Sequence, residues 1–474
     1  MDIKNIYALD EENKSIHFKK QFNKFIGNIK ILDFYKKVES GEKIDKNEFL
    51  PNLNYYEDII LWGCSALGTS VLKYLLQNNI KISYLWDIRA EELKSINGQT
   101  VYLPFSNEVK KKEKTLIIVC VSNNVIQKSI RIQLRSEDYY NVINGSHLYM
   151  GLICPSDIKT GVDNKFCLQE SPCLKIFCPR QVNLMNQKHP PKNKEYPLNM
   201  NSVTLIVNQK CNLSCKYCTS YMSQYAPQDK RNFPVENIIR DIDNFFSTID
   251  SASSITVMGG EPFLHPDISL IIKALLKYNN FGFISVATNG VCPIKPEQLD
   301  GLTDSRVCVS FNNYLKALPA SAEEIYKKNI ELVKKHGVFY SEGPYMNEWT
   351  IPSTLYDTGV KEEILIKRID MCTNQISYLR CHQLKNGKLF PCDFANSVHS
   401  IGVADYSNEY TDLTIKDNLH ERLYKYIHAP YYKVCGHCRF QLGSTKGAAV
   451  QGKIDFINLP DGEDKISYVP GGKQ

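Results

Sequence analysis

The chain has 474 residues, 43% hydrophobic and 23% charged, with a formal net charge of +6. Such a length suggests roughly two to four globular domains, and such a composition leaves little room for long disordered arms. The charge is small and no basic–aromatic alternation accompanies it, which argues against nucleic acid as a partner.

The N-terminus, Met1-Asp2-Ile3-Lys4-Asn5, leads into charged residues, so no signal peptide is expected. No run of about 18 apolar residues occurs, so no membrane span is expected either. The sixteen cysteines are then expected in a reducing, cytoplasmic setting, where they serve metal or redox chemistry rather than disulfides.

Residues 1–50 are charged and weakly patterned and are expected as a short helical segment. Residues 51–150 then read as a Rossmann-like parallel α/β domain. Asp58–Gly63 is a buried strand, and Val71, Leu72, Leu75 and Leu76 mark one face of the helix after it. Ile82–Trp86 and Thr115–Val121 are further strands, the latter followed by a helix over Asn124–Leu134. Gly63, Ser65 and Gly68 form the turn between the first strand and its helix, and Asp87 ends the second strand. That is the layout of a nucleotide fingerprint, with a phosphate at the helix N-terminus and the acid on a ribose. Ser65, however, stands where a middle glycine would admit a pyrophosphate, which counts against a full NAD site. The segment is similar to small Rossmann-like domains beside sugar-modifying transferases; a scaffold without ligand is the alternative.

Residues 151–200, rich in Pro, Lys and Asn, are expected as a linker. A second α/β array occupies residues 201–370. Its strands are Val203–Val207, Ser254–Met258, Phe283–Ala287, Arg306–Phe311 and Val338–Ser341. Helices over Val235–Ile249, Ile268–Tyr278 and Ala322–His336 alternate with them. Repeated βα units of this length suggest a full or partial barrel with its site at the C-terminal strand ends.

Directly after the first strand of that array comes Cys211-x3-Cys215-x2-Cys218. Soft thiolates suit iron–sulfur clusters, and three ligands on one loop leave one iron of a cube open for chemistry. A zinc knuckle would want a fourth Cys or His close by, and none follows. With Tyr217 as the aromatic before the last cysteine, the motif resembles the signature of the radical S-adenosylmethionine (radical SAM) superfamily. Gly259-Gly260-Glu261-Pro262, ending the second strand, resembles the element that faces the methionine amino group. Thr288-Asn289-Gly290, ending the third, resembles a ribose-side motif. Ser310 and Asn312, ending the fourth, fall where the family often places a polar residue near the ribose or carboxylate. The resemblance spans about residues 200 to 345. It implies a partial (β/α)6 TIM-like barrel, a [4Fe–4S] cluster on Cys211, Cys215 and Cys218, and S-adenosylmethionine bound to its open iron. Reduction of the cluster, by a donor such as flavodoxin or ferredoxin, then yields a 5′-deoxyadenosyl radical that abstracts hydrogen from the substrate.

Residues 371–474 form a small cysteine-rich region. Leu384–Cys392 reads as a hairpin turning at Asn386-Gly387, and Cys435-Gly436-His437-Cys438 is a second knuckle. The pattern resembles the Twitch or SPASM extensions that hold auxiliary Fe–S clusters. It implies Cys392, Cys435 and Cys438 as ligands, with Cys372 or Cys381 as the fourth; a zinc ribbon on the same thiolates is the alternative. Cys154, Cys167, Cys173 and Cys178 are irregularly spaced and expected as free thiols, and Cys64, Cys120, Cys292 and Cys308 as core residues.

Three functions follow for comparison. The first is a radical SAM enzyme acting on a small molecule such as a sugar, nucleotide-sugar or glycan precursor, with dehydrogenation, epimerisation, deamination or rearrangement all open. The second is a peptide maturase, although the Rossmann-like N-terminal region is not the winged helix that such enzymes often carry. The third is a non-catalytic Fe–S or zinc protein, against which the intact cysteine triplet argues. No catalytic acid, base or hydrogen donor is singled out.

Overall fold

The computed structural model describes residues 25–26, 29–121, 124–169, 178–343, 348–350, 381–403, 409–438 and 445–453, with 172, 359, 361–363 and 365–366 between them. Two compact units divide the chain, one essentially residues 1–163 with 170–183, the other 164–169 with 184–472.

In the first unit, β1 (Asp58–Trp62) runs into α1 (Ala66–Gln77), followed by β2 (Tyr84–Trp86), β3 (Ser95–Ile96), β4 (Gln99–Tyr102), β5 (Thr115–Val119), α2 (Asn124–Ser136) and β6 (Val142–Asn144). The sheet order is β3-β4-β2-β1-β5-β6, parallel except for the β3–β4 pair. Its β-branched strands are buried and pack on α2 through Ile130 and Leu134, with Trp62 and Trp86 edge-to-face at 5.6 Å. The chain turns out of β1 at Gly63, and Gly68 lies so close to the Gly63 carbonyl that a Cβ would overlap it. The Rossmann-like expectation is met in layout. The carboxylate of Asp87, however, is engaged within the protein: it accepts from the Cys64 amide at 2.8 Å and pairs with the Arg89 guanidinium at 3.1 Å.

The stretch expected as a linker contains two helices, Asn164–Gln169 and Pro179–Lys188. Arg180 is fully buried and donates to the carbonyls of Ser156 (2.6 Å), Glu42 (3.2 Å), Gly41 (3.3 Å) and Met150. One guanidinium thus satisfies backbone acceptors of three separate segments, so its chain segment is part of the first unit's core.

The second unit is built on β7 (Asn199–Ile206), α3 (Val235–Thr248), β8 (Ser251–Met258), α4 (Ile268–Leu276), β9 (Phe281–Thr288), β10 (Val307–Phe311), α5 (Ala320–Lys335) and β11 (Tyr340–Glu342). Then come β12 (Glu348–Thr350), the hairpin β13 (Cys381–Lys385) and β14 (Lys388–Phe390), α6 (Asp393–Ile401), β15 (Thr411–Asp412), α7 (Leu419–Ile427) and β16 (Thr445–Gly447). The sheet runs β11-β10-β9-β8-β7-β13-β14-β15, its first six strands parallel. Among the described residues the sheet is open rather than closed into a barrel. The sixth parallel strand is the first strand of the cysteine hairpin, which joins beside β7. Asn386 and Gly387 both take positive φ, 45° and 79°, the primed turn that an Asn-Gly pair favours.

The two faces of this sheet differ in chemistry. Val203, Leu205, Ile255, Val257, Ile284, Val286, Val307, Val309 and Phe311 belong to the apolar core with α3, α4 and α5. The alternate positions carry a row in register across five strands: Gln383, Thr204, Thr256, Ser285 and Cys308. Nearer the strand ends, the Ser310 hydroxyl lies 2.9 Å from that of Ser285 and 3.2 Å from that of Ser341.

No helix among the described residues is long and apolar enough to cross a membrane.

Arg180→Met is expected to destabilise the first unit by roughly 3 kcal/mol or more, because several buried carbonyls lose their donor together. Urea unfolding followed by tryptophan fluorescence reads this in a Trp349→Phe background, since the other two tryptophans, Trp62 and Trp86, lie in that unit.

Candidate functional site

The cysteine loop leaves the C-terminal end of β7 and is stitched at once to the end of β8. Asn208 is fully buried; its side chain donates to the Glu261 carbonyl at 2.8 Å and accepts from the Gly260 amide at 3.0 Å. The Glu261 amide donates to the Lys210 carbonyl at 2.8 Å. A Cβ on Gly259 would overlap Asn208, and one on Gly260 would overlap Lys210 and Cys211. The paired glycines are therefore needed for the close approach of two backbone segments of this chain, Lys210 against Gly260.

Glu261 ties the second strand end to the third. Its carboxylate accepts from the Thr288 hydroxyl (2.8 Å), the Asn289 amide (2.9 Å) and the Phe263 amide (3.1 Å). It is fully buried, and burial pushes its pKa up to about 7 against hydrogen bonds that pull the other way. Asn289 continues the chain of contacts: its side-chain amide donates to Asn212 at 2.9 Å and lies 3.9 Å from the Cys211 sulfur. Asn212 in turn donates to the Val291 carbonyl at 3.1 Å. Asn312, after β10, donates its amide to the Thr288 carbonyl at 2.9 Å. The loop after β7 thus meets the ends of β8 and β9, the end of β10 is tied to that of β9, and Pro262 is buried in the turn after Glu261.

Cys211 lies within electrostatic reach of both Cys215 and Cys218, and burial raises the pKa of all three thiols, that of Cys218 to about 12. The Tyr314 phenol, in the loop after β10, feels all three sulfurs and Glu261, and its ring packs edge-on against Trp349 of β12 at 5.2 Å. Tyr217 carries the Lys216 ammonium 5.4 Å from its ring centre. Among the described residues no three Cys, His, Asp or Glu side chains are drawn to a common point. The donor set nonetheless fits an iron–sulfur cube in kind: three soft sulfurs on one short loop with no imidazole or carboxylate among them.

The second cysteine group lies against the first. Ser220, two residues beyond Cys218, donates to the carboxylate of Asp393 at 3.2 and 3.3 Å, and Asp393 directly follows Cys392. Tyr221 is buried and within reach of Cys218, Cys392 and Cys438; Tyr426 is within reach of Cys392 and Cys435. Cys392 caps α6, its sulfur accepting from the Ala395 amide at 3.4 Å. Cys392 and Cys435 thus border the apolar cluster that contains Tyr221, and Cys438 lies within electrostatic reach of that tyrosine. Of the alternatives for a fourth ligand, Cys372 lies outside the described residues, and of Cys381 only its backbone, in β13, is described.

Several residues of this site carry no motif. Asn208 had a local signal, a polar residue at the end of an apolar strand. Tyr314 follows the Ser310–Asn312 segment by two residues. Gln451, whose side chain contacts Cys215, lies 236 positions away and had none.

Comparison with known proteins places this arrangement. Residues 205–351 match the family model for the radical SAM superfamily. The GTP 3',8-cyclase of Lactiplantibacillus plantarum is 29% identical over 121 residues, 24% of this chain and 36% of that protein. An S-adenosylmethionine-dependent nucleotide dehydratase of Selenomonas ruminantium is 32% identical over 95 residues, 20% of this chain and 32% of that protein. The chain thus spans about a third of the length of these curated relatives. Among solved structures, anSMEcpe with bound AdoMet superposes with a TM-score of 0.32 at 11% identity, covering 51% of this chain and 81% of that one. Streptococcus suis SuiB bound to S-adenosylmethionine gives 0.28 at 12%, covering 62% and 82%. A parallel α/β sheet with a three-cysteine loop after its first strand defines the class. Residues 205–351 thus match a radical SAM domain, a family that uses a [4Fe–4S] cluster and S-adenosylmethionine.

The Glu261 carboxyl gives a pH test on cluster-free protein. From its ordinary value of 4.5 up to about 7 the folded state holds this proton more tightly than the unfolded chain does. Its contribution is therefore fully present below 4.5 and is lost as pH rises to about 7, by ~3 kcal/mol at about 1.4 kcal/mol per pH unit. Subtracting the pH profile of Glu261→Gln unfolding from that of the wild type should leave this slope; a flat difference would refute it.

Proposed function

We propose that the chain is a radical SAM enzyme that removes a hydrogen atom from a small, hydroxyl-rich substrate of the sugar, nucleotide or nucleotide-sugar kind. The observation that carries the chemistry is the convergence of Cys211, Glu261 and Asn289, from three strand ends, through Asn208 and Asn212. In this reading Cys211, Cys215 and Cys218 hold the cluster. Tyr217, Gly259–Pro262, Asn289, Ser310 and Asn312 border the S-adenosylmethionine. When bound, the pair supplies a 5′-deoxyadenosyl radical.

The substrate reading rests on the sheet face that carries Gln383, Thr204, Thr256, Ser285, Ser310 and Ser341. Such side chains offer hydrogen bonds to hydroxyl groups and little apolar area, which suits a carbohydrate better than a greasy ligand. The names of the matched relatives, a GTP cyclase and a nucleotide dehydratase, support a nucleotide-type substrate. The first unit, with its turn at Gly63–Gly68, is assigned to binding a nucleotide. Asp87 would have to give up Arg89 to bind a ribose there.

Cys392, Cys435 and Cys438, with Cys372 or Cys381, are assigned to an auxiliary Fe–S cluster that takes an electron from the substrate radical or positions the substrate. Its support is the packing of Cys392 and Cys435 against the apolar cluster that contains Tyr221, with Cys438 within electrostatic reach of that tyrosine.

Anaerobically reconstituted protein given S-adenosylmethionine and dithionite is expected to release 5′-deoxyadenosine, measured by chromatography. Cys211→Ala, Cys215→Ala and Cys218→Ala should each reduce release to background, and release at the wild-type rate in any of them would defeat the reading. Cys435→Ala should lower iron per chain while retaining uncoupled cleavage; complete loss of iron would contradict a two-site protein.

A further inference from the structure

The C-terminal segment returns to the cysteine loop by a route that the motifs do not announce. β16 pairs antiparallel with β12, Lys446 opposite Trp349, and the chain then turns at Ala448-Ala449. Both alanines are buried, and Ala449 takes φ of 54°, a left-handed conformation that a side chain adopts only where surroundings impose it. Beyond this turn the segment meets the loop through an isolated antiparallel bridge. The Lys216 amide donates to the Val450 carbonyl at 2.7 Å, and the Gly452 amide donates to the Ser214 carbonyl at 2.8 Å. Gln451 sits between them, bridged directly to Cys215.

The side chain of Gln451 adds three contacts. Its carbonyl oxygen accepts from the Ser214 amide at 2.7 Å. Its Nε2 donates to the Ala449 carbonyl at 2.6 Å and to the Cys215 sulfur at 3.4 Å. The orientation of the amide follows from its partners: Ser214 offers only a donor and Ala449 only an acceptor, so the NH2 must face the sulfur. Leu213, by comparison, donates its backbone amide to Cys211 at 3.4 Å.

We propose that Gln451 is a positioning residue for the cluster: it fixes the loop at Ser214 and donates an N–H···S hydrogen bond to the Cys215 thiolate, setting the reduction potential. The inference rests on the reading that Cys215 is a cluster ligand. Reduction adds negative charge to the cluster and its sulfurs. A donor aimed at a ligating sulfur therefore stabilises the reduced state more than the oxidised one and raises the potential. The donor comes from a segment more than two hundred residues away, so docking of this strap and ease of cluster reduction are linked.

The test is an electron paramagnetic resonance titration of the reconstituted full chain against redox mediators, with a Cys392→Ala background to isolate the loop cluster. Gln451→Glu keeps the acceptor for Ser214 and replaces the donor with oxygen; Gln451→Met removes both. Each should be harder to reduce than the parent, by up to a tenfold drop in the reduction equilibrium, about 59 mV for one electron. A midpoint unchanged or more positive in either overturns the proposal. Independently, pulsed electron–nuclear spectroscopy of otherwise wild-type protein, labelled with heavy nitrogen in its glutamine side chains, should find that nitrogen coupled to the cluster. No coupling overturns the contact however the variants fold. Failure of the parent to hold any four-iron cluster would instead sink the underlying reading.

Discussion

Asn208 is the point on which the second unit's site depends. Its single buried amide accepts from Gly260 and donates to the Glu261 carbonyl, so the loop after one strand is clamped to the turn after the next. That clamp is possible because Gly259 and Gly260 carry no side chains, and it in turn presents the Glu261 carboxylate to Thr288 and Asn289. Buried polar networks of this kind are costly unless every member is satisfied, and satisfied ones fix a single geometry. Here the geometry fixed is that of the three-cysteine loop.

A second layer of support reaches the loop from the C-terminal region. Asp393 receives Ser220 beside Cys218, and the strap at Val450–Gly452 receives Ser214 and Lys216 beside Cys215. The loop is therefore held from three sides by segments far apart in the chain. Lys385, buried nearby and bonded to Ser400 at 2.6 Å with its charge favoured by Asp393, belongs to the same polar layer. Burial pulls that lysine's pKa down to about 7.

Legibility in the sequence followed the range of the interaction. Strands such as Ser251–Met258 and Phe281–Thr288 are long, β-branched and bounded by Gly or Asn-Gly, so local pattern located them. The alternation of Ser or Thr with Val or Ile in these strands also encodes the two-faced sheet. The three-residue β6 and the two-residue β3 were too short to leave a pattern. The pairing of β13 with β7 and of the Val450–Gly452 strap with the cysteine loop depends on backbone hydrogen bonds between residues some 180 and 236 positions apart, which no local periodicity records. The Pro- and Asn-rich stretch read as a linker because its composition hid Arg180, whose partners are backbone carbonyls of other segments. At Asp87 the fingerprint was legible, whereas the local capture of its carboxylate by Arg89 depended on side-chain geometry.

The proposed chemistry requires that one loop of three thiolates hold a four-iron cube with a free iron corner. Electron paramagnetic resonance of the dithionite-reduced, reconstituted protein, recorded before and after adding S-adenosylmethionine, tests it most directly. A reduced four-iron signal is expected, and its shape should change on addition of the cosubstrate, because the cosubstrate binds the cluster itself. A signal indifferent to S-adenosylmethionine, or zinc in place of iron on those sulfurs, would contradict it.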